Sequence, residues 1–131
     1  MFSLDDIAKG NRTDKSSNDH DYCSLYESHF GAMRFNRIRF LEIGIFEGAS
    51  HRMWREYFSN AEIHGIDIKE CTAIPSVKFH TLDASNRDSL QSFASSQGTW
   101  DIIIDDGGHT MEQQQTTFDI LWPKVNKGGT Y

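Results

Sequence analysis

The chain has little cysteine, little proline and no long hydrophobic run. Its 131 residues include two cysteines and two prolines. Neither cysteine has a CxxC or metal-type spacing, so a disulfide framework is excluded and we interpret Cys23 and Cys71 as reduced structural thiols. No run of about 18 apolar residues is present, and the opening MFSLDDIAKG lacks the basic and apolar blocks of a signal peptide. The sequence therefore predicts a cytoplasmic protein without a membrane span.

Basic residues are also scarce. The chain carries 13 Lys and Arg against 19 Asp and Glu, a formal net charge of -6. Nucleic acids and anionic membranes require clustered basic side chains, so neither is expected as the main partner. This excess of acidic over basic residues favours a neutral or cationic small molecule as the ligand. Hydrophobic residues make up 37% of the chain, enough for the core of one domain.

Strand-like segments alternate with amphipathic helices along most of the chain. This alternation predicts a doubly wound, mostly parallel α/β sheet of the Rossmann-like kind, with helices on both faces. We expect an N-terminal helical segment at residues 1–36, which would act as a lid, and a ligand-binding core at 37–131. The predicted strands are residues 37–44, 62–68, 77–83 and 100–106, with a fifth from 125; the predicted helices include 3–8, 22–33, 49–58, one capped by Ser85 with Asp88, and one capped by Thr110 with Gln113.

An acidic residue marks the end of each of the first four predicted strands. Ligands of such sheets bind at the carboxyl ends of the strands, where the strand order reverses. We therefore expect the acidic residues to face one cleft. They are Glu42, Asp67, Asp83, Asp105 and Asp106.

The loop after the first strand separates two classes of cofactor. A dinucleotide requires GxGxxG, whereas residues 42–48 read EIGIFEG, with Phe46 at the middle glycine position and Glu47 close to any phosphate. Carboxylates suit a cofactor with an amino group and a sulfonium, such as S-adenosylmethionine, and an acid that ends the second strand can bind a ribose diol. The alternative is that Gly44 and Gly48 only permit a tight turn.

The residues resemble those of class I S-adenosylmethionine-dependent methyltransferases. The resemblance is narrower to the metal-dependent sugar O-methyltransferases of macrolide biosynthesis, of the macrocin and mycinamicin type. The motif DDGGH, followed by an amphipathic helix and WPKVNKGG, is its most specific part. The segments that carry it are residues 12–22, 41–58, 61–68 and 101–131.

This resemblance implies roles for individual side chains around the cofactor. Glu42, Gly44 and Gly48 would line the methionine end of the cofactor, Asp67 would hold the ribose and Asp83 would lie near the adenine. A TDK segment, residues 13–15, would fold over the cofactor. A surface ion pair between Asp14 and Lys15 is an equal alternative for that segment. The full set of implied cofactor-binding residues is Thr13, Lys15, Glu42, Gly44, Gly48, Asp67, Asp83 and Asp105.

The same resemblance implies that Asp106 is a magnesium ligand and that His109 is the general base. A sugar hydroxyl is a weak nucleophile near neutral pH, so methyl transfer to it requires a base, a metal, or both. The two residues are three apart in a glycine-containing turn, which lets both side chains point into one cleft. The alternative is that Asp105 and Asp106 cap this turn and the glycines only bend it.

We predict from these features an O-methyltransferase that acts on a hydroxyl of a sugar or glycosylated small molecule with the help of Mg²⁺. A donor-binding fragment without turnover and an NAD-dependent oxidoreductase are the alternatives. Relative to the family, the chain is expected to be truncated after the fifth strand, before a Glu-Asp pair that completes the metal site. An exposed strand edge near residues 128–131 favours a homo-oligomer. Five histidines, His20, His29, His51, His64 and His80, are interpreted as surface or helix-face residues, and Trp54 and Trp122 as core anchors.

Overall fold

A five-stranded parallel sheet forms the centre of the computed structural model, which describes residues 1–18, 21–44, 48–70, 74–107 and 110–131. The spatial order is β3-β2-β1-β4-β5, and every pairing is parallel. The order reverses between β1 and β4, so the predicted doubly wound sheet is confirmed. The strands are β1 (Arg39–Ile43), β2 (Glu62–Asp67), β3 (Val77–Thr81), β4 (Trp100–Asp105) and β5 (Val125–Thr130).

Helices cover both faces of the sheet and produce two hydrophobic clusters. Phe40 and Ile102 face the cluster that contains α1, α2 and α3, while Leu41 and Ile103 face the cluster that contains α4 and α5. This alternation follows from the two-residue period of a strand. No helix in the described ranges is long and apolar enough to cross a membrane. The helices are α1 (Leu4–Asn11), α2 (Cys23–Phe30), α3 (Ala49–Tyr57), α4 (Arg87–Gln97) and α5 (Met111–Leu121), with 3₁₀ turns at Gly31–Met33 and Trp122–Lys124.

Capping side chains define the starts of α4 and α5. Thr110 accepts a hydrogen bond from the Gln113 backbone and forms the predicted capping box. The box predicted at Ser85 is wrong, because Asn86 caps α4 by accepting from the Ser89 backbone. The Ser85 hydroxyl instead donates to Asp83, 2.6 Å away, and is therefore not available to the helix.

The N-terminal helices pack on the same side of the sheet as α3. Cys23 and Phe30 are buried, whereas Leu25 is 56% exposed, so the apolar stripe predicted for residues 22–33 is only partly correct. Trp54 is fully buried as predicted, but Trp122 is 49% exposed and is not a core anchor. Both α1 and α2 contribute to the cluster that contains β1 and α3. Residues 12–15, which line the site described next, follow α1 directly in the chain. The predicted boundary between an N-terminal lid segment, residues 1–36, and a ligand-binding core, residues 37–131, stays a prediction.

Candidate functional site at the carboxyl ends of the strands

A cavity of about 690 Å³ opens at the carboxyl ends of β1, β2, β3 and β4. Residues 12–15 line it from the N-terminal segment, and Gln113 and Thr117 line it from the first two turns of α5. Apolar side chains from the strand ends and the loop after β3 complete the walls. Lining residues that carry polar or charged groups include Thr13, Lys15, Ser50, Asp67, Asp83 and Asp106.

Gly44 brings the end of β1 against the end of β4. Its backbone N–H donates to the carbonyl of Ile66 at 2.8 Å, and the Asp106 N–H donates to the carbonyl of Ile43 at 2.9 Å. Gly44 has φ +92°, a conformation that side chains disfavour. A β-carbon there would also overlap the carbonyl oxygen of Asp106. Glycine is therefore required here for two reasons, its positive φ and the space that the backbone of Asp106 occupies at the cavity wall.

Asp67 and Asp83 both lie on the cavity wall, as the sequence predicted. Asp67 ends β2, and its Oδ1 accepts from the backbone N–H of Ile68 at 2.7 Å. Asp83 follows β3, and its Oδ1 accepts from the Ser85 hydroxyl and the Ser85 backbone. The Ser85 hydroxyl lowers the pKa of Asp83, which keeps that carboxyl ionised at neutral pH. Two carboxylates thus stand at neighbouring strand ends. Their assignment to ribose and adenine stays a prediction.

Lys15 reaches into the site from the N-terminal segment. Its Nζ lies 2.6 Å from Ser50 Oγ, 2.9 Å from Asp106 Oδ2 and 3.3 Å from Glu42 Oε2. The side chain is only 3% exposed. Burial opposes its charged form, but the nearby charges of Glu42 and Asp106 hold the pKa of Lys15 above its usual range. Lys15 is therefore a buried cation. The ion pair with Asp14 that the sequence offered as an alternative is present at 3.9 Å, but it is the longest of the three described ion pairs of Lys15 and only Asp14 is exposed in it.

Glu42 is fully buried beneath the cavity, which differs from the prediction that it lines the methionine end of the cofactor. Its side chain points toward α3, where Oε1 lies 3.3 Å from Nδ1 of His51, and Lys15 covers its other oxygen. Burial raises the pKa of Glu42 to about 7, and the ammonium of Lys15 opposes this rise. Glu42 thus acts on the site through Lys15 and has no surface in the cavity.

Three other predicted site residues lie off the wall or outside the described residues. Gly48 lies directly before α3 and has φ +83°, a backbone conformation that favours glycine. The side chain of Asp105 points to the face of the sheet that is covered by α4 and α5. There it accepts a hydrogen bond from the Gly107 backbone at 3.2 Å and lies 3.5 Å from the Tyr131 hydroxyl. Burial raises the pKa of Asp105, and Gly107 opposes that rise. The predicted base, His109, lies outside the described residues.

Asp106 is the one predicted metal ligand, and it lies on the cavity wall with its side chain half exposed. Its Oδ2 accepts a hydrogen bond from Nζ of Lys15 at 2.9 Å. Within the described ranges, no group of three or more His, Cys, Asp and Glu side chains could hold a metal ion. Mg²⁺ usually keeps several waters and is bound by one or two carboxylates, so a single half-exposed aspartate is compatible with it.

Sequence reasoning missed four residues of the site. Ser50, in the first turn of α3, bonds both Lys15 and Thr13. Gln113 and Thr117 project from α5 onto the cavity wall. The capping box of Gln113 placed it next to DDGGH and was an available signal for this position. His51 was interpreted as a surface or helix-face residue, but it is fully buried beside Glu42. It precedes Trp54 by three positions and Phe58 by seven, so the helical period was an available signal for its burial, although not for its contact with Glu42.

A family model described as a methyltransferase domain matches residues 41–131. A tetracenomycin-C rhamnosyl 3'-O-methyltransferase of Streptomyces olivaceus is 37% identical over 95% of this chain and 34% of its own length. The mycinamicin VI 2''-O-methyltransferase of Micromonospora griseorubida is 33% identical over 86% of this chain and 30% of its own length. The chain thus spans about a third of the length of these curated relatives.

A solved structure shares the same arrangement of strands and helices. The MycE methyltransferase of the mycinamycin biosynthetic pathway, in complex with Mg, SAH and mycinamycin VI, superposes with a TM-score of 0.91. It is 30% identical, and the match covers 98% of this chain and 37% of that one. The five-stranded sheet is therefore the class I methyltransferase fold.

Proposed function

Since the chain belongs to the family of methyltransferase domains, we propose that it is the donor-binding region of an S-adenosylmethionine-dependent O-methyltransferase. The acceptor is a hydroxyl of a sugar on a glycosylated small molecule, and Mg²⁺ assists the reaction. The named activities of the relatives, which methylate sugar hydroxyls, support this proposal. So does the Mg- and SAH-bound state of MycE.

One observation carries the proposal: acidic side chains outnumber basic ones on the wall of the cavity at the strand ends. Asp14, Asp67, Asp83 and Asp106 lie on it, against Arg12 and Lys15. A wall with an excess of negative charge disfavours a diphosphate and favours a ligand that carries a sulfonium and an amino group. The volume of about 690 Å³ is within the range of small-molecule sites.

Each side chain of the site has a task in this reaction. Asp67 accepts hydrogen bonds from a ribose diol, and Asp106 contributes one carboxylate to Mg²⁺. His109 accepts the proton of the acceptor hydroxyl. When bound, the donor supplies an activated methyl group and Mg²⁺ supplies a Lewis acid that lowers the pKa of a coordinated hydroxyl. Much of the rate acceleration comes from holding the two reactants in line.

Titration calorimetry tests the cofactor part of the proposal. S-adenosylmethionine and its demethylated product, S-adenosylhomocysteine, are titrated into the chain, with NAD as the competing class. We expect both sulfur compounds to bind in the micromolar range, about -8 kcal/mol, and NAD to bind far more weakly. Tight NAD binding, or no heat with either sulfur compound, would overturn the proposal.

Methyl transfer to a rhamnosyl glycoside tests the catalytic part. Labelled product is measured with and without EDTA, in the wild type and in Asp106→Ala and His109→Ala. We expect chelator and each substitution to suppress turnover. Turnover that is unchanged by EDTA and by both substitutions would reject the proposed roles of Mg²⁺, Asp106 and His109. Donor binding without any turnover would instead identify the chain as a binding unit that requires further residues for catalysis.

A further inference from the structure

Lys15 is attached to the rest of the molecule at both its backbone and its side chain. Its carbonyl accepts from the Tyr22 backbone at 2.9 Å and from the thiol of Cys23 at 3.1 Å. Its ammonium crosses the cavity edge to Asp106, 91 residues away. These contacts hold the segment around Lys15 against the sheet.

The arrangement of charges explains why the ammonium stays in place. A buried ammonium is costly unless carboxylates surround it, and Lys15 has a buried carboxylate in Glu42 and two more exposed ones in Asp106 and Asp14. Glu42 is fully buried and is not part of the cavity wall. Its position makes it the buried counter-charge of Lys15. Of the two exposed carboxylates, Asp106 lies closer to the ammonium, at 2.9 Å against 3.9 Å for Asp14, and it is therefore the partner that the ammonium orients most directly.

We propose that Lys15 is a positioning residue, which acts through Asp106 and not through contact with the donor. Its ammonium, anchored on Glu42, restrains Oδ2 of Asp106 and docks the segment of residues 12–17 as a preformed wall of the cavity. The hydrogen bond from Lys15 uses one carboxylate oxygen of Asp106, Oδ2, and the side chain is half exposed on the cavity wall.

Positioning of this kind has a consequence for affinity. A wall and a carboxylate that are ordered in the free protein do not lose conformational freedom when the ligand binds. The consequence for donor affinity rests on the proposed function, whereas the docking of residues 12–17 in the free protein does not. The two can therefore be measured separately.

Hydrogen–deuterium exchange of the ligand-free chain tests the docking. Lys15→Met should speed exchange by roughly tenfold or more in peptides that cover residues 12–18 and Asp106, because both lose their link. Glu42→Gln keeps the Lys15–Asp106 bond, so exchange at Asp106 should stay slow. Lys78→Met is the matched control, since Lys78 is exposed on β3 and among the described ion pairs it contacts only Glu62, far from residues 12–17.

The double variant Lys15→Met/Glu42→Gln separates positioning from charge balance. It removes the buried carboxylate together with its cation, so its melting temperature should recover toward the wild type. Under our proposal its exchange at Asp106 stays fast, and its affinity for S-adenosylhomocysteine stays roughly tenfold weaker than that of the wild type.

Two results would overturn the proposal: wild-type exchange in Lys15→Met, or recovery of both slow exchange and donor affinity in the double variant. The second result would mean that Lys15 only neutralises Glu42. If the wild type does not bind S-adenosylhomocysteine, the proposed function fails, and the exchange data still decide whether Lys15 docks the segment.

Discussion

The α-carbon of Gly44 lies so close to the backbone of Asp106 that no side chain fits at position 44. A β-carbon on Gly44 would overlap the Asp106 carbonyl oxygen and would lie 3.0 Å from the α-carbon of Gly107. This contact joins the ends of two adjacent parallel strands, β1 and β4. The position of Asp106 in the cavity thus depends on the absence of a side chain 62 residues earlier in the sequence.

Gly44→Ala should destabilise the chain and weaken donor binding together. The positive φ and the overlap with Asp106 should lower the free energy of unfolding by about 2 kcal/mol or more, measured by urea denaturation. Gly10→Ala is the control, because Gly10 lies in α1, where an added β-carbon would meet no atom within 4 Å. That variant should be neutral or more stable by up to about 1 kcal/mol. Equal stability of the two variants would contradict the close approach.

Asp67→Ala should weaken donor binding with little effect on stability. A carboxylate that accepts hydrogen bonds from a ribose diol contributes enough that its loss should raise the dissociation constant of S-adenosylhomocysteine roughly ten- to a hundredfold. Calorimetry measures the change. Asp119→Ala removes a carboxylate of α5 whose partner is Gln115 and should leave the affinity unchanged. An unchanged affinity in Asp67→Ala would remove this residue from the donor site.

Acid should destabilise the chain through His64. The interpretation of His64 as a surface or helix-face residue is wrong, because it lies in β2 and is buried, with Nδ1 2.8 Å from His80 Nε2. Burial lowers the pKa of His64 from 6.5 to about 4, and Glu62 opposes this change. Between these two pH values the unfolded state binds more protons than the folded state. The contribution of His64 is therefore fully present above about pH 6.5 and is lost as the pH falls toward 4.

A comparison with His64→Gln at each pH isolates that contribution. Glutamine can still accept from His80 but does not titrate. The comparison is needed because the raised pKa of Glu42 acts with the opposite sign over an overlapping range. We expect the free energy of unfolding, from urea titrations between pH 7 and 5, to fall more steeply in the wild type than in the variant. Parallel slopes would mean that His64 is protonated equally in both states.

The thiol of Cys23 should be unreactive in the folded chain. It is 1% exposed and donates to the carbonyl of Lys15. Burial, followed by the nearby charge of Asp5, raises the pKa of this thiol to about 11, so little thiolate forms. We expect iodoacetamide at pH 8 to label Cys23 only after denaturation, as measured by peptide mass spectrometry. Labelling of the native chain at the rate of a free thiol would show that residues 12–17 open readily.

Several features of the site were readable from the sequence because they depend on strand ends. The alternation of apolar segments located the strands, and the acidic residue at each end indicated a cleft. Asp67, Asp83 and Asp106 lie on the cavity wall as expected. Gly44 was recognised as part of the loop, but the sequence did not reveal which backbone it had to admit.

The contacts between distant segments were not readable. Glu42 was expected on the cavity wall because it ends a strand, but its side chain points toward α3 and is covered by Lys15. Asp105 and Asp106 are adjacent and both acidic, yet the two-residue period of the strand sends Asp105 to the other face of the sheet. The sequence alone does not state which of two neighbours faces the ligand when the register at the strand end is unknown.

The amino-acid sequence by itself determined the class of fold, the edge of the sheet at which the cavity lies and the acidic residues at that edge. Local patterns suffice for these properties, because periodicity and turn residues act within a few positions of the chain. The tertiary structure decided that Lys15 is a buried cation between Glu42 and Asp106, and that His51 lies beneath them. Those pairings arise only when crossovers bring remote segments together, since burial then makes each unpaired charge costly and selects the partners that neutralise it.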